Sequence, residues 1–109
     1  TAFSVKIVSE RIMVIFMITR AVQITLYASV CRSLKDKRMI VQSIVSRVKN
    51  KFNVSIAEVG AQDLHQTVII GVAAVSSSNN HAQNVLDEVI RFIENNVDAE
   101  VTGVEFYDA

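Results

Sequence analysis

The chain has no proline and no tryptophan, and only three glycines, two histidines and one cysteine in 109 residues. Each scarcity removes a class of chemistry. Gly60, Gly71 and Gly103 stand alone, so they make neither a P-loop nor a dinucleotide-binding fingerprint. Nor is there the Arg-bearing Gly-rich loop of small phosphatases. Cys31 has no partner for an intramolecular disulfide, and a lone thiol fits a reducing cytoplasm better than secretion. Cys31, His65 and His81 show no metal-ligand spacing, so neither a metal nor a cofactor is expected. The longest apolar run, Ile12–Ile18, gives way to Thr19-Arg20, well short of the ~20 residues of a membrane-spanning helix. Lys6 and Arg11 precede that run, but no small-residue cleavage motif follows. It reads as a buried strand, and no membrane partner is expected.

Hydrophobic residues make up 50% of the chain and charged residues 20%. That balance and length describe one globular domain able to close a single core. The formal net charge is zero, but the zero conceals a split. Residues 1–53 carry ten basic and two acidic residues, a net of +8, and residues 54–109 carry Arg91 against nine acids, a net of −8. Such asymmetry marks a basic face for nucleic acid or an acidic face for a basic partner. The plainer readings are self-association and two oppositely charged helices lying side by side.

Periodicity supplies the elements. Val22, Ile24 and Leu26 alternate with Gln23, Thr25 and Tyr27, a half-buried strand. Ser33-x-x-Asp36 is a capping-box signature that starts a helix. Leu34, Val41, Ile44, Val45, Val48 and Phe52 fall on one face of it, and Asn53 ends it. Val54–Val59 is a short strand, 60–66 a turn, and Thr67–Val75 a strand apolar throughout, hence central. After a polar Ser76–Asn80 loop, His81–Asn95 is a second helix with Ala82, Val85, Leu86, Val89 and Ile93 inward. Glu100–Tyr107 is the last strand, with Thr102, Val104 and Phe106 on one side. The order β-α-β-β-α-β predicts an α+β, ferredoxin-like domain, a four-stranded antiparallel sheet with both helices on one face.

The blocks SLKDKR (Ser33–Arg38), KFNVSIAEVGAQDL (Lys51–Leu64), VSS (Val75–Ser77) and VLDEVIRFIE (Val85–Glu94) resemble the YlxP-like family of small bacterial proteins. The resemblance runs from about Met17 to the C-terminus. It implies a ferredoxin-like fold and a cytoplasmic bacterial protein. It also implies genes set beside translation and ribosome-maturation factors, with no established activity. Three departures stand out. Ser29-Val30 replaces the family's Pro-Gly turn, His65 replaces its Trp, and residues 1–16 lie outside the match. The chain therefore divides into an N-terminal extension, 1–16, and a domain, 17–109. Phe3, Val5 and Ile7 alternate with Ser4 and Lys6, the pattern of an extra strand. In this fold such a strand pairs at a sheet edge or on another protomer, so the extension is expected to help form a homodimer.

Three functional readings follow. Arg32, Lys35, Lys37, Arg38, Arg47 and Lys49 surround the first helix and form a candidate phosphate-contacting patch for RNA or a ribosomal particle. The plain alternative is a solvated helix face whose lysine stems cover the core edge. Base stacking on the sheet is not expected, because Val68–Val75 has no aromatic and the first strand offers only Tyr27. The second reading is a homo-oligomeric interaction module built from the +8 and −8 halves. The third is an enzyme using the turn residues Asp63, His65 and Gln66. No nucleophilic Ser or Cys is tied to that turn, so an Asx-turn at Asp63 is the better account. No catalytic residue is assigned, and the expectation is a non-enzymatic protein. Cys31 reads as a small loop residue, although Arg32 beside it would lower a thiol pKa.

Overall fold

The computed structural model describes residues 2–8 and 11–108. It is an α+β structure in which a four-stranded antiparallel sheet carries two helices. The strands are β1 (Ala2–Val8), β2 (Arg11–Tyr27), β3 (Ser55–Gly60), β4 (Thr67–Ser76) and β5 (Glu100–Asp108); the helices are α1 (Leu34–Lys51) and α2 (Asn79–Asn96). Across the sheet the order is β5-β2-β4-β3, every pair antiparallel.

β2 is longer than the sheet it centres. Residues 18–27 pair with β4 on one edge and residues 20–27 with β5 on the other. Residues 11–17 pair with β1 instead, so Ala2 stands opposite Met17 and Val8 opposite Arg11. The expected boundary at Met17 thus falls inside one continuous strand, and the extra strand pairs on its own chain. This two-stranded arm explains the radius of gyration of 16.9 Å and the 63 Å long axis. A compact domain of this length would have a radius of gyration of about 13 Å.

The core lies between the sheet and the helices. Val22, Ile24 and Leu26 of β2 and Val68, Ile70 and Val72 of β4 face Ile44 and Val48 of α1 and Leu86, Val89 and Ile93 of α2. α1 begins as its sequence dictates. Ser33 Oγ accepts the Asp36 amide at 3.1 Å, while Asp36 Oδ2 accepts the Arg32 amide at 3.0 Å. The reciprocal bond therefore reaches one residue further back than in a standard capping box. The helix closes at Phe52, whose amide donates to Val48 O at 2.8 Å. α2 starts two residues earlier than its apolar period suggests, because Ser78 Oγ accepts the His81 amide at 3.3 Å.

Two irregularities re-aim side chains. The β2–β5 register shifts between Thr25 and Leu26. Val101, Val104 and Phe106 therefore share the helix side, and Thr102 lies in the bulge, its hydroxyl donating to Thr25 O at 3.3 Å. This corrects the expected grouping of Thr102 with Val104 and Phe106, since a bulge adds one residue to the period of two. A second shift, between Glu58 and Gly60, lets Val59 lean over Gly71, where a Cβ would sit 2.9 Å from Val59 Cγ1.

Candidate nucleic-acid interface

The basic residues of α1 separate into three groups by helical position. Lys35, Arg38 and Lys49 lie with Gln42 along one exposed stripe, turned away from the core, and Arg32 is exposed just before the helix. The helical spacing produces this arrangement, since positions 35, 38, 42 and 49 recur on one face.

Arg47 and Lys51 turn toward α2. The Arg47 guanidinium donates to Asn96 O at 2.8 Å and lies 5.4 Å from the Phe92 ring centroid. Lys51 Nζ lies 4.9 Å from the same ring, and Phe92 meets Phe52 edge-on at 5.7 Å. A shallow cleft of about 310 Å³ opens here beside Glu88, Arg91 and Asn95. The helices therefore meet through cations on aromatic faces.

Lys37 forms the third group by itself and corrects the sequence reading. It is 2% exposed, so it cannot belong to a phosphate-contacting surface. Its ammonium donates to Ala61 O and to Leu64 O, the latter at 2.7 Å, and lies 3.1 Å from Glu58 Oε2. That oxygen is buried and meets no aligned donor; charge rather than a directed bond holds the pair. A buried ammonium is tolerated only when its three protons are taken up, and here two carbonyls and a carboxylate surround it. The signal was present in the sequence. Position 37 falls three residues after Leu34, four before Val41 and seven before Ile44, squarely on the apolar face.

Lys37 also explains the 61–66 loop. Ala61 has φ 53, a left-handed conformation costing about 1–2 kcal/mol for a residue with a Cβ. The Leu64 amide closes the turn onto Ala61 O at 3.0 Å. Gln66 is half-buried, its amide donating to Cys31 O at 3.2 Å and Ser29 O at 3.4 Å, while the Ala28 amide donates to Gln66 O at 2.8 Å. The loop is thus fixed from beneath by Lys37 and Gln66. Asp63 and His65 are exposed, and no side-chain hydrogen bond of Asp63 forms the expected Asx-turn. Cys31 is fully buried. Desolvation, followed by the Asp36 and Asp98 carboxylates, pushes its thiol pKa up against a smaller opposing effect of Lys37. This overturns the lowering that Arg32 alone would suggest.

Among the described residues, ion pairs join Arg20 to Asp108 at 3.0 Å and Lys37 to Glu58. The side chains of Arg32, Lys35, Arg38 and Lys49 pair with no carboxylate there. The basic α1 and the more acidic α2 do lie side by side, joined through Arg47 and Lys51 on Asn96 O and the Phe92 ring rather than by ion pairs among the described residues. No three His, Cys, Asp or Glu side chains among the described residues gather closely enough to hold a metal ion. No helix among them is long and apolar enough to cross a membrane.

An α+β domain with one outward basic helix and a loop fixed by a buried lysine is the class this geometry defines. The family model described as "Protein of unknown function (DUF503)" matches residues 19–106, and the chain belongs to that family. It is 43% identical over 77 residues to "Uncharacterized protein YlxP" of Bacillus subtilis (strain 168), a match covering 69% of this chain and 84% of that protein. The YlxP-like resemblance carried by Ser33–Arg38 and Lys51–Leu64 is therefore correct.

Proposed function

We propose that the protein is a non-enzymatic, cytoplasmic module that associates with RNA in a ribosomal particle through Arg32, Lys35, Arg38 and Lys49. The element order from β2 to β5 and the sheet order β5-β2-β4-β3 support reading the domain as ferredoxin-like. One observation carries the functional reading. Lys35, Arg38 and Lys49 are exposed along one side of α1, Arg32 is exposed just before it, and none of the four forms an ion pair among the described residues. The setting beside translation factors that the YlxP-like resemblance implies would point the same way. No reaction is proposed for the turn, where Asp63 and His65 have no nucleophile beside them and Gln66 is spent on backbone carbonyls.

The test is co-sedimentation with bacterial ribosomal subunits across a salt series, alongside the Lys35→Glu/Arg38→Glu variant. Four phosphate contacts on single-stranded RNA give a log–log salt slope of about −3, hence about a 50-fold loss of affinity between 50 and 200 mM salt. The double reversal is expected to weaken binding at least tenfold. Equal binding by the variant, or no binding by the parent at low salt, refutes the reading.

A further inference from the structure

We propose that the helix-free face of the sheet is an interface with a second copy of this chain, the two sheets packing face to face. The evidence begins with β4. An antiparallel sheet with one face in water alternates apolar and polar residues, whereas a strand apolar on both sides is built for two buried faces. β4 reads TVIIGVAAVS. Val68, Ile70, Val72 and Ala74 face the helices and are buried, but Ile69, Gly71, Ala73 and Val75 lie on the opposite face. Among the described residues no element covers that side, and Val75 is 65% exposed.

The neighbouring strands continue the same surface. Ala21 stands opposite Ala73 and Tyr107, and Ala57 opposite Gly71. Small residues hollow the centre into a shallow depression of about 390 Å³, with Val59 and Tyr107 along its lining. Raised and recessed parts on one apolar face are what a self-complementary, two-fold interface requires.

Charge decides the kind of partner. No Lys or Arg lies on this face between Thr19 and Tyr27 of β2, on β3, on β4 or on β5. Glu100 and Glu105 are exposed carboxylates there, both on the edge strand β5. RNA has no cation to meet, and Tyr27 and Tyr107 stand at opposite ends of the β2–β5 ladder, too far apart to stack neighbouring bases. With both carboxylates on the edge strand, the β2–β4–β3 part of the face is uncharged and meets a copy of itself without repulsion. The area is sufficient. Four strands about 4.8 Å apart and up to ten residues long give about 500–600 Å² per copy. The pair then buries about 1,000–1,200 Å², which clears the lower threshold of about 1,000 Å² for a biological interface and sets the dimer at the weaker end of the range. The basic stripe of α1 lies on the other side of the sheet, so a dimer would present two such stripes outward and strengthen binding to a shared RNA by avidity.

The experiment is sedimentation-velocity analysis of the full chain at tens of micromolar, with Ala73→Glu, Val75→Lys and Lys35→Glu/Arg38→Glu beside the parent. Circular dichroism confirms that each variant is folded; Val75→Lys, at a site already open to water, serves if Ala73→Glu does not fold. The parent and the α1 double variant are expected as dimers, and the two face variants as monomers. A monomeric parent overturns the proposal. A dimer that persists in folded Val75→Lys also overturns it, because the copies then meet elsewhere. Since the α1 variant tests RNA binding and the face variants test assembly, either idea can fail without the other.

Discussion

Replacing Lys37 tests whether a buried charge holds this fold together at its most recognisable motif. Lys37→Met keeps the apolar stem and removes the ammonium. Ala61 O and Leu64 O lose their donor, and Glu58 Oε2 keeps a buried negative charge with no partner. Removing one member of a buried ion pair costs about 3–5 kcal/mol. The Glu58 side chain is 21% exposed, so water relieves part of the penalty and the lower end, about 3 kcal/mol, is expected. A domain of this size has a total stability of only about 5–15 kcal/mol, and Tm falls by about 4–8 °C per kcal/mol in somewhat smaller domains. A drop of about 10–20 °C should follow. Thermal melts monitored by circular dichroism measure it, and urea unfolding of Lys37→Met, Glu58→Leu and the double variant supplies a double-mutant cycle. Because loss of both charges removes the stranded carboxylate, the double variant should be more stable than Lys37→Met alone, with a coupling of about 2 kcal/mol. Strict additivity, or a cost below about 1 kcal/mol for Lys37→Met, refutes the reasoning and makes the lysine incidental.

Two further outcomes follow from the packing and the thiol. Gly71→Ala places a methyl 2.9 Å from Val59 Cγ1 and should destabilise by about 1–3 kcal/mol. Val59→Ala in the same chain should recover most of that loss in thermal melts; no recovery means the contact is not the cause. Cys31, buried with a raised pKa, should react with a disulfide reagent at neutral pH only once denaturant is added, and rapid reaction of the native protein contradicts this. The sign of the linkage is fixed. A thiol whose folded pKa lies above its unfolded value contributes no penalty below the ordinary thiol range. Stability then declines as pH rises from that range toward the folded value. Cys31→Ala should flatten this alkaline decline in pH-dependent unfolding.

The parts of the fold that local chemistry dictates were legible in the sequence. Ser33 and Asp36 announced the start of α1, and the two-residue period of Val22, Ile24 and Leu26 announced the inner face of β2. The unbroken apolar run of β4 announced a central strand. Tertiary pairing decided the rest. Residues 11–16 belong to β2 because β1 folds back on them, a partner that no local pattern names. Thr102 misled because a bulge breaks the alternation. For the site, charge counts treated all the lysines of α1 alike. The helical period sets Lys37, which the loop carbonyls consume, on the apolar face, apart from Lys35 and Arg38, which face water. The turn residues were grouped by polarity, yet Gln66 is structural while Asp63 and His65 are not engaged. Hydrogen bonds to distant backbone leave no trace in local composition.

β2 joins the nearest and the farthest parts of the chain in time as well as in space. Its first residues pair with β1 across a minimal separation, Val8 to Arg11, while Arg20 waits for Asp108 near the other end. Hairpins form in about 1–10 μs, whereas closing long separations dominates the barrier of sheet proteins. The arm offers the central strand an early, extended template on which the late partners can assemble. A strand that is straightened first and clasped last would place the slow step of folding at the docking of β5, the partner farthest along the chain from the hairpin.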